Sequence, residues 1–246
     1  MLIIIFFIAI WYLSLFSQTF LQHRYASHGA FQMNRFWERF FYIIAYITQG
    51  SSYMSPRAYA IMHRMHHAYT DTELDPHSPS FSKNVFAMMW RTSRFYRNIF
   101  HNRMKVEDKF TKNLPDWKGF DRFASSAASR LLWVAGYSLL FVFFASAWYL
   151  WILLPVVVAM GAVHGAIINW FAHKYGYTNF RMKNTSSNLL RTDVLMLGES
   201  YHNNHHKHPS SPNFGIRKYE IDPVYYAIKV LSWMRIVRLP VVVPAH

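Results

Sequence analysis

The segment His63-Arg64-Met65-His66-His67-Ala68-Tyr69-Thr70-Asp71 decides how this chain is read. Its three histidines stand at i, i+3 and i+4. A helix here stacks all three imidazoles on one face, about one turn apart. A hydrophobic core has little use for adjacent polar rings, because each needs a hydrogen-bond partner once buried. A shared metal ion meets that need, since neutral imidazole is a common nitrogen ligand. A solvent-exposed histidine patch is the competing explanation. Two further clusters in the chain shift the balance toward metal.

The first of these is His202-Asn203-Asn204-His205-His206, which repeats the i, i+3, i+4 triad. The second is His23-Arg24-Tyr25-Ala26-Ser27-His28. Its separation of five places the two rings about 140° apart on a regular α-helix. They converge only if the helix ends or is wound differently between them. The three clusters supply eight histidines, and His173, four residues after Asn169, makes a ninth. Four-coordinate zinc uses at most four, whereas nine suit two metal ions with positions left open for water or oxygen. The chain has no cysteine, which excludes thiolate zinc, iron–sulfur clusters and disulfides. It also lacks the paired Glu and Glu-x-x-His pattern of the carboxylate-bridged di-iron bundles. Asp71, Asp75 and Glu199 lie beside the clusters, where carboxylates suit hydrogen bonds that fix the imidazole tautomer. Solvated turn residues are the plainer reading for the two aspartates.

At 246 residues, with a formal charge of +14, the chain invites a nucleic-acid reading. The distribution of charge argues against it. All 26 Lys and Arg and all 12 Asp and Glu lie outside residues 1–23 and 131–173. Charge-free apolar blocks in a basic protein indicate a membrane protein whose charged parts share one face. A DNA-binding module would instead carry a basic stripe on a soluble fold.

Residues 2–20 are uncharged and long enough for one span. No basic residues precede them and no small-residue cleavage site follows, so they read as a retained transmembrane helix. Arg24, Arg35 and Arg39 come after it, which places the N-terminus outside. The uncharged run from Leu131 to Ala172 suits two spans, 131–148 and 151–171, with a turn near Ala147–Trp151. His164, inside the second, is expected to hydrogen-bond a neighbouring helix. Residues 40–62 are also apolar. A crossing there would put the His23 and His63 clusters on opposite faces, so the expectation is an interfacial or cap helix with its aromatics facing a cavity.

The architecture that follows is all-α. About three transmembrane helices carry a cytosolic helical cap, 21–130 and 172–246, in a single domain that includes the histidine site. The basic residues of 91–122 read as a cytosolic positive loop, with an anionic headgroup, coenzyme phosphate or acidic redox partner as further uses. The basic tail reads as an amphipathic segment on the cytosolic membrane surface.

The full motifs resemble a known family. His23-x4-His28, His63-x2-His66-His67 and His202-x2-His205-His206 resemble the integral-membrane fatty acid desaturases. His23-Arg24-x-x-Ser27-His28, His63-Arg64-x-His66-His67 with Asp75-Pro76-His77, and Gly198-Glu199-x-x-His202-Asn203-x-His205-His206 are similar to the acyl-CoA Δ9, stearoyl-CoA desaturase-like branch. Asn169-x-x-Ala172-His173 is similar to that branch's extra ligand motif. The resemblance runs from about residue 10 to about residue 240.

It implies two irons, cycling between Fe2+ and Fe3+. Their ligands would be His23, His28, His63, His66, His67, His173, His202, His205 and His206, with Asn169 bound through water. It implies O2-dependent insertion of a cis double bond into a saturated chain carried by CoA or another acyl carrier. Members commonly have two spans before the first histidine cluster. This chain has room for one, which reads either as a short bacterial-type form, in a bacterial inner membrane, or as a chain that begins late. His208-Pro209 is followed by Ser210-Ser211 rather than Gly-Gly, so electrons are expected from a separate ferredoxin or cytochrome b5 type carrier. Hydroxylation of an acyl chain or alkane on the same irons is the sister reading. A non-enzymatic membrane heme or metal-transport protein is a third, and it would favour histidines within spans, where only His164 lies.

Overall fold

With no charge or proline to interrupt it, the first apolar stretch forms α1 (Leu2–Ser17) in the computed structural model, which describes residues 1–240. Residues 241–246 of the expected cap lie outside the described part. The helix does not stop with its apolar run. It continues as a π-helix, Gln18–Ser27, whose N–H groups reach back five residues instead of four. The continuous rod of 26 residues can cross a hydrocarbon core and project beyond it.

Asn34 caps α2 (Arg35–Gln49) by accepting the Trp37 N–H. Its 15 residues span about 22 Å, short of a hydrocarbon core of about 30 Å. It runs back along the π-helical extension. Thr48 meets Ser17 at 2.7 Å, the amides of Gln49 and Gln22 pair, and Tyr25 donates to Glu38 at 2.6 Å. Phe41 and Tyr42 join Phe20, Leu21 and Phe31 in a core closed by Val224 and Ile228. This corrects the expectation that the aromatics of this stretch face a cavity: of those in 40–62, Tyr59 does so. The others on α2 pack inward or, like Phe40, join Phe36, Ile43 and Ile47 in an exposed apolar stripe.

After the turn Gly50–Ser52, Ser55 caps α3 (Pro56–Tyr69), with Pro56 in the first turn, where its missing N–H costs nothing. Asn84 caps α4 (Val85–Phe100), and short helices α5 (Asp108–Thr111) and α6 (Lys118–Ala124) follow. The second long apolar helix, α7 (Ala127–Phe144), starts four residues before the expected 131 because Ser126 caps it. Arg130 in its first turn donates to the carbonyls of Ser51 and Tyr53.

The chain reverses at residues 145–147, just before the expected turn, and a 3-10 stretch (Trp148–Ile152) leads on. The expected span 151–171 is not one straight helix. It comprises α8 (Leu153–Val158), α9 (Met160–Ala166) and a π-turn (Ile167–Phe171), and the two arms bend by 78°. Side chains from the α2–α3 turn occupy the break. Ser51 donates to the Val158 carbonyl at 2.8 Å, and Ser52 accepts the Gly161 N–H at 3.1 Å. Among the described residues, two helices are thus long and apolar enough to cross a membrane, or three if the bent pair is one span. They pack through Ile3, Ile10, Tyr137, Phe141, Val157 and Met160. Their outer faces expose Leu131, Leu132, Val142 and Phe143, as lipid contact requires.

His164 does not hydrogen-bond a neighbouring helix as expected. Neither ring nitrogen has a partner among the described residues, and the ring sits edge-on to Trp11 with centroids 4.6 Å apart. Trp11 itself donates to the Leu195 carbonyl, so its N–H is not free for the imidazole. The chain ends with α10 (His202–Lys207), α11 (Pro223–Trp233), and a ribbon in which β1 (Gln32–Met33) pairs antiparallel with β2 (Val237–Arg238).

Candidate metal centre

The π-helical winding answers the awkward spacing of His23 and His28. With bonds reaching five residues back, positions five apart become neighbours on successive turns, and the two ring centroids lie 5.1 Å apart. α3 and α10 then bring their triads to the same place. Nine histidines form two groups whose donor atoms lie within 4.8 Å of one another: His23, His28, His63, His67 and His205 in one, His66, His173, His202 and His206 in the other. Each triad is divided the same way. Its first and third histidines, four apart and nearly eclipsed on the helix, serve one group, and the middle one turns to the other group.

The donor atoms fit metal ions. Nε2 atoms approach at 2.9 Å (His28–His63), 3.0 Å (His63–His67), 2.8 Å (His67–His205) and 3.0 Å (His23–His205) in the first group. In the second, His173–His202 and His202–His206 are each 3.0 Å. Two nitrogens bonded at about 2.1 Å and at right angles stand about 3.0 Å apart, against about 3.4 Å for a tetrahedron. The spacing therefore suits ions of more than four ligands. Burial drives His28, His63, His66, His67, His173, His202, His205 and His206 below the ordinary imidazole value, so their lone pairs are available at neutral pH.

Carboxylates meet the far side of several rings. His66 Nδ1 donates to Asp75 at 2.9 Å, which leaves Nε2 unprotonated toward the cluster. His23 Nδ1 lies 2.7 Å from Glu199. Burial alone would raise the Glu199 carboxyl, but His23 and Arg24 together with the Thr19 hydroxyl hold it below the usual range. Asp71 acts one step removed: its backbone is left-handed (φ 61°), its carboxylate accepts the Thr185 N–H and hydroxyl, and Thr185 Oγ1 lies 3.1 Å from His173 Nδ1.

The two asparagines inside the His202 triad point away from the rings and anchor α10. Asn203 donates to the carbonyls of Phe180 and Ser186, and Asn204 to that of Phe214 and to Glu220. Asn188 caps this helix by accepting the N–H groups of Asn203 and Asn204. None of these anchors announces itself in the sequence.

Asn169 lines two adjoining cavities together with His63, Gln18, Tyr59 and Gly165. The larger is about 480 Å3, walled by Met54, Met62, Met89, Phe100 and Val158, with Arg97, His101 and Arg130 also on its wall. Tyr59 stacks parallel on His63, centroids 5.7 Å apart. Sequence reasoning passed over His77. It is buried, its ring centroid is 4.2 Å from that of His66, and it faces the larger cavity with neither nitrogen hydrogen-bonded to a described residue. The Asp75-Pro76-His77 run was its one signal.

The family model for fatty acid desaturases matches residues 1–234. A Delta-9 desaturase-like protein of Arabidopsis thaliana is 30% identical over 91% of this chain and 73% of its own length. An acyl-CoA 5-desaturase of Anemone leveillei is 28% identical over 89% and 65%, and a Delta-9 acyl-lipid desaturase of Arabidopsis thaliana 28% identical over 85% and 66%. The chain thus spans about two thirds to three quarters of these relatives. With helices able to cross a membrane and two convergent histidine groups beside an apolar cavity, this chain belongs to the fatty acid desaturase family.

Proposed function

We propose that this protein is a membrane-bound, O2-dependent di-iron desaturase that places a cis double bond, at Δ9, in a saturated acyl chain carried as its CoA thioester. The observation that carries the reading is the pairing of a five-histidine and a four-histidine group, with His63 of the first in the wall of an apolar cavity. The nine histidines would hold two irons, with Asn169 at one of them through water. Bound iron would supply the reduction of O2 and the oxidising power that removes two hydrogens. The rest falls to the chain. Met54, Met62, Met89 and Val158 line a space that takes a hydrocarbon and excludes water. Arg97 and Arg130 suit the polar end. A neighbouring cavity shares Phe100, His101 and Ser125 and adds Arg57, Lys118 and Arg122, which suits coenzyme phosphates.

In this reading Asp75 and Glu199 keep the protons of His66 and His23 on Nδ1, and Asp71 does the same for His173 through Thr185. Electrons come from a separate ferredoxin or cytochrome b5 type carrier. The N-terminus lies outside a bacterial inner membrane, and the histidines face the cytoplasm, on the side of Arg24, Arg35 and Arg39. Expression with iron, followed by mass spectrometry of the host's fatty acids, tests the activity. New cis-monounsaturated chains are expected. Hydroxy acids alone would replace the reading with a hydroxylase, and neither product from an iron-loaded protein would sink it.

A further inference from the structure

The two histidine groups differ in what covers them. In the His66 group, side chains back three of the four rings with hydrogen bonds: Asp75 on His66, Thr185 on His173 and Asn184 on His206. One side of the five-histidine group is covered by an aromatic ring. Phe214, 1% exposed, lies with its centroid 4.5 Å from that of His205 and 5.4 Å from that of His23. His205 Nδ1, against this ring, is buried without a hydrogen-bond partner among the described residues; His202 Nδ1 in the other group also lacks one, but no aromatic ring other than imidazole lies against it.

Phe214 is held there by an ion pair. The Arg24 guanidinium stacks on the ring at 4.0 Å from its centroid and is itself fully buried. It pairs with Asp222 at 3.0 Å and donates to the Pro212 carbonyl. Asp222 in turn accepts the Phe214 N–H at 2.8 Å and caps α11 through the Tyr225 N–H. Gly198, next to Glu199, has a φ of +95°, and a Cβ there would stand 2.6 Å from an Asp222 oxygen. The clamp therefore fits only because position 198 has no side chain. Burying an arginine and an aspartate is costly unless geometry and hydrogen bonds compensate. A merely space-filling phenylalanine has no need of them.

We propose that Phe214, locked by Arg24 and Asp222, is a positioning residue that keeps water off the five-histidine group and so sets the reduction potential of the metal there, independently of its neighbour. The apolar surroundings of a metal site govern solvent access and local dielectric, and through them its potential. Admitting water stabilises the more highly charged oxidised ion, so opening this cover lowers the potential at one site only. The inference rests on the di-iron reading.

The test uses full-length protein in detergent, loaded with 57Fe, with iron content, Mössbauer spectra and a redox titration as readouts. In Phe214→Asn, one of two iron subspectra is expected to shift and its midpoint potential to fall, while the other stays put. Loss of one iron per chain with the other spectrum intact would make Phe214 a residue needed for binding at that site and would overturn its role in setting the potential. Phe214→Leu, which keeps an apolar cover, is expected to restore the wild-type spectrum, and Arg24→Gln to perturb the same subspectrum as Phe214→Asn. Unchanged spectra in Phe214→Asn, or equal shifts at both irons, overturn the proposal. Wild-type protein that takes up no iron overturns the di-iron reading itself, and the iron assay alone separates that failure from the other.

Discussion

The five-histidine and four-histidine groups use one donor type and are built in opposite ways. The first takes two ligands from a single helix, made neighbours by π-winding between His23 and His28. It is covered by Phe214 and holds one close carboxylate contact, His23 to Glu199. The second takes His173 from the end of a broken helix and depends on polar loop residues: Asp75 for His66, Thr185 and Asp71 for His173. One site is held by helix geometry and packing, the other by hydrogen bonds from loops. Equal ligands therefore need not mean equal affinity or equal sensitivity to mutation.

The largest contrast should come from removing ligands. His66→Ala leaves three histidines in its group. Activity is expected to vanish and iron to fall from about two to about one per chain, a stoichiometry that a metal assay reads directly. His28→Ala leaves four in the other group and should keep nearly all its iron while losing activity. The same iron content in both variants would break the comparison, and full activity in His66→Ala would sink the ligand assignment.

Smaller effects are expected where only the outer partner changes. Asp75→Asn weakens the hold on the His66 tautomer and should cost about 10–100-fold in iron affinity or turnover. Glu199→Gln acts on the group that packing also supports, and its loss should sit at the lower end of that range. Titrating iron into both variants checks the order; a reversed order would mean that the loops contribute less than the geometry suggests.

The gentlest probe is pH on the iron-free protein. Eight imidazoles are held below their ordinary value of 6.5 by burial. The unfolded chain then binds more protons than the folded one as pH falls through that value. The stability they contribute is present above pH 6.5 and declines below it. Asp121 works the other way. Burial raises its carboxyl to about 6, so its effect favours the fold as pH drops from 6 toward 4. Burial raises the Asp193 and Asp222 carboxyls in the same sense, and lowers His77 with the other imidazoles. With nine imidazoles against three carboxyls, Tm should fall on acidification from pH 7.5 to 5.5; a rise would contradict the burial of the imidazoles.

Much of this was legible in the chain. The charge-free blocks announced helices fit for a membrane, because no charged residue is cheap there. The argument that residues 40–62 do not cross matched a helix too short to do so, and it put His28 beside His63. What failed has a local cause. The span 151–171 bends because Ser51 and Ser52, a hundred residues earlier, satisfy the backbone groups freed at its break. His164 stays unpaired because the indole N–H of Trp11 is already turned to Leu195. No periodicity within a segment reports on such partners.

The sequence by itself determined the inventory: nine histidines at the ends of the apolar blocks or outside them, their spacing along helices, and the absence of any thiolate alternative. Spacing acts through one helix, so it could say that His63 and His67 share a side. It could not say that His66 belongs with His202, or that His205 belongs with His23. Those assignments require the placement of α10 against two helices more than a hundred residues earlier in the chain. The Phe214 cover and the cavity have the same origin. They arise where distant segments meet, and only tertiary packing decides which segments those are.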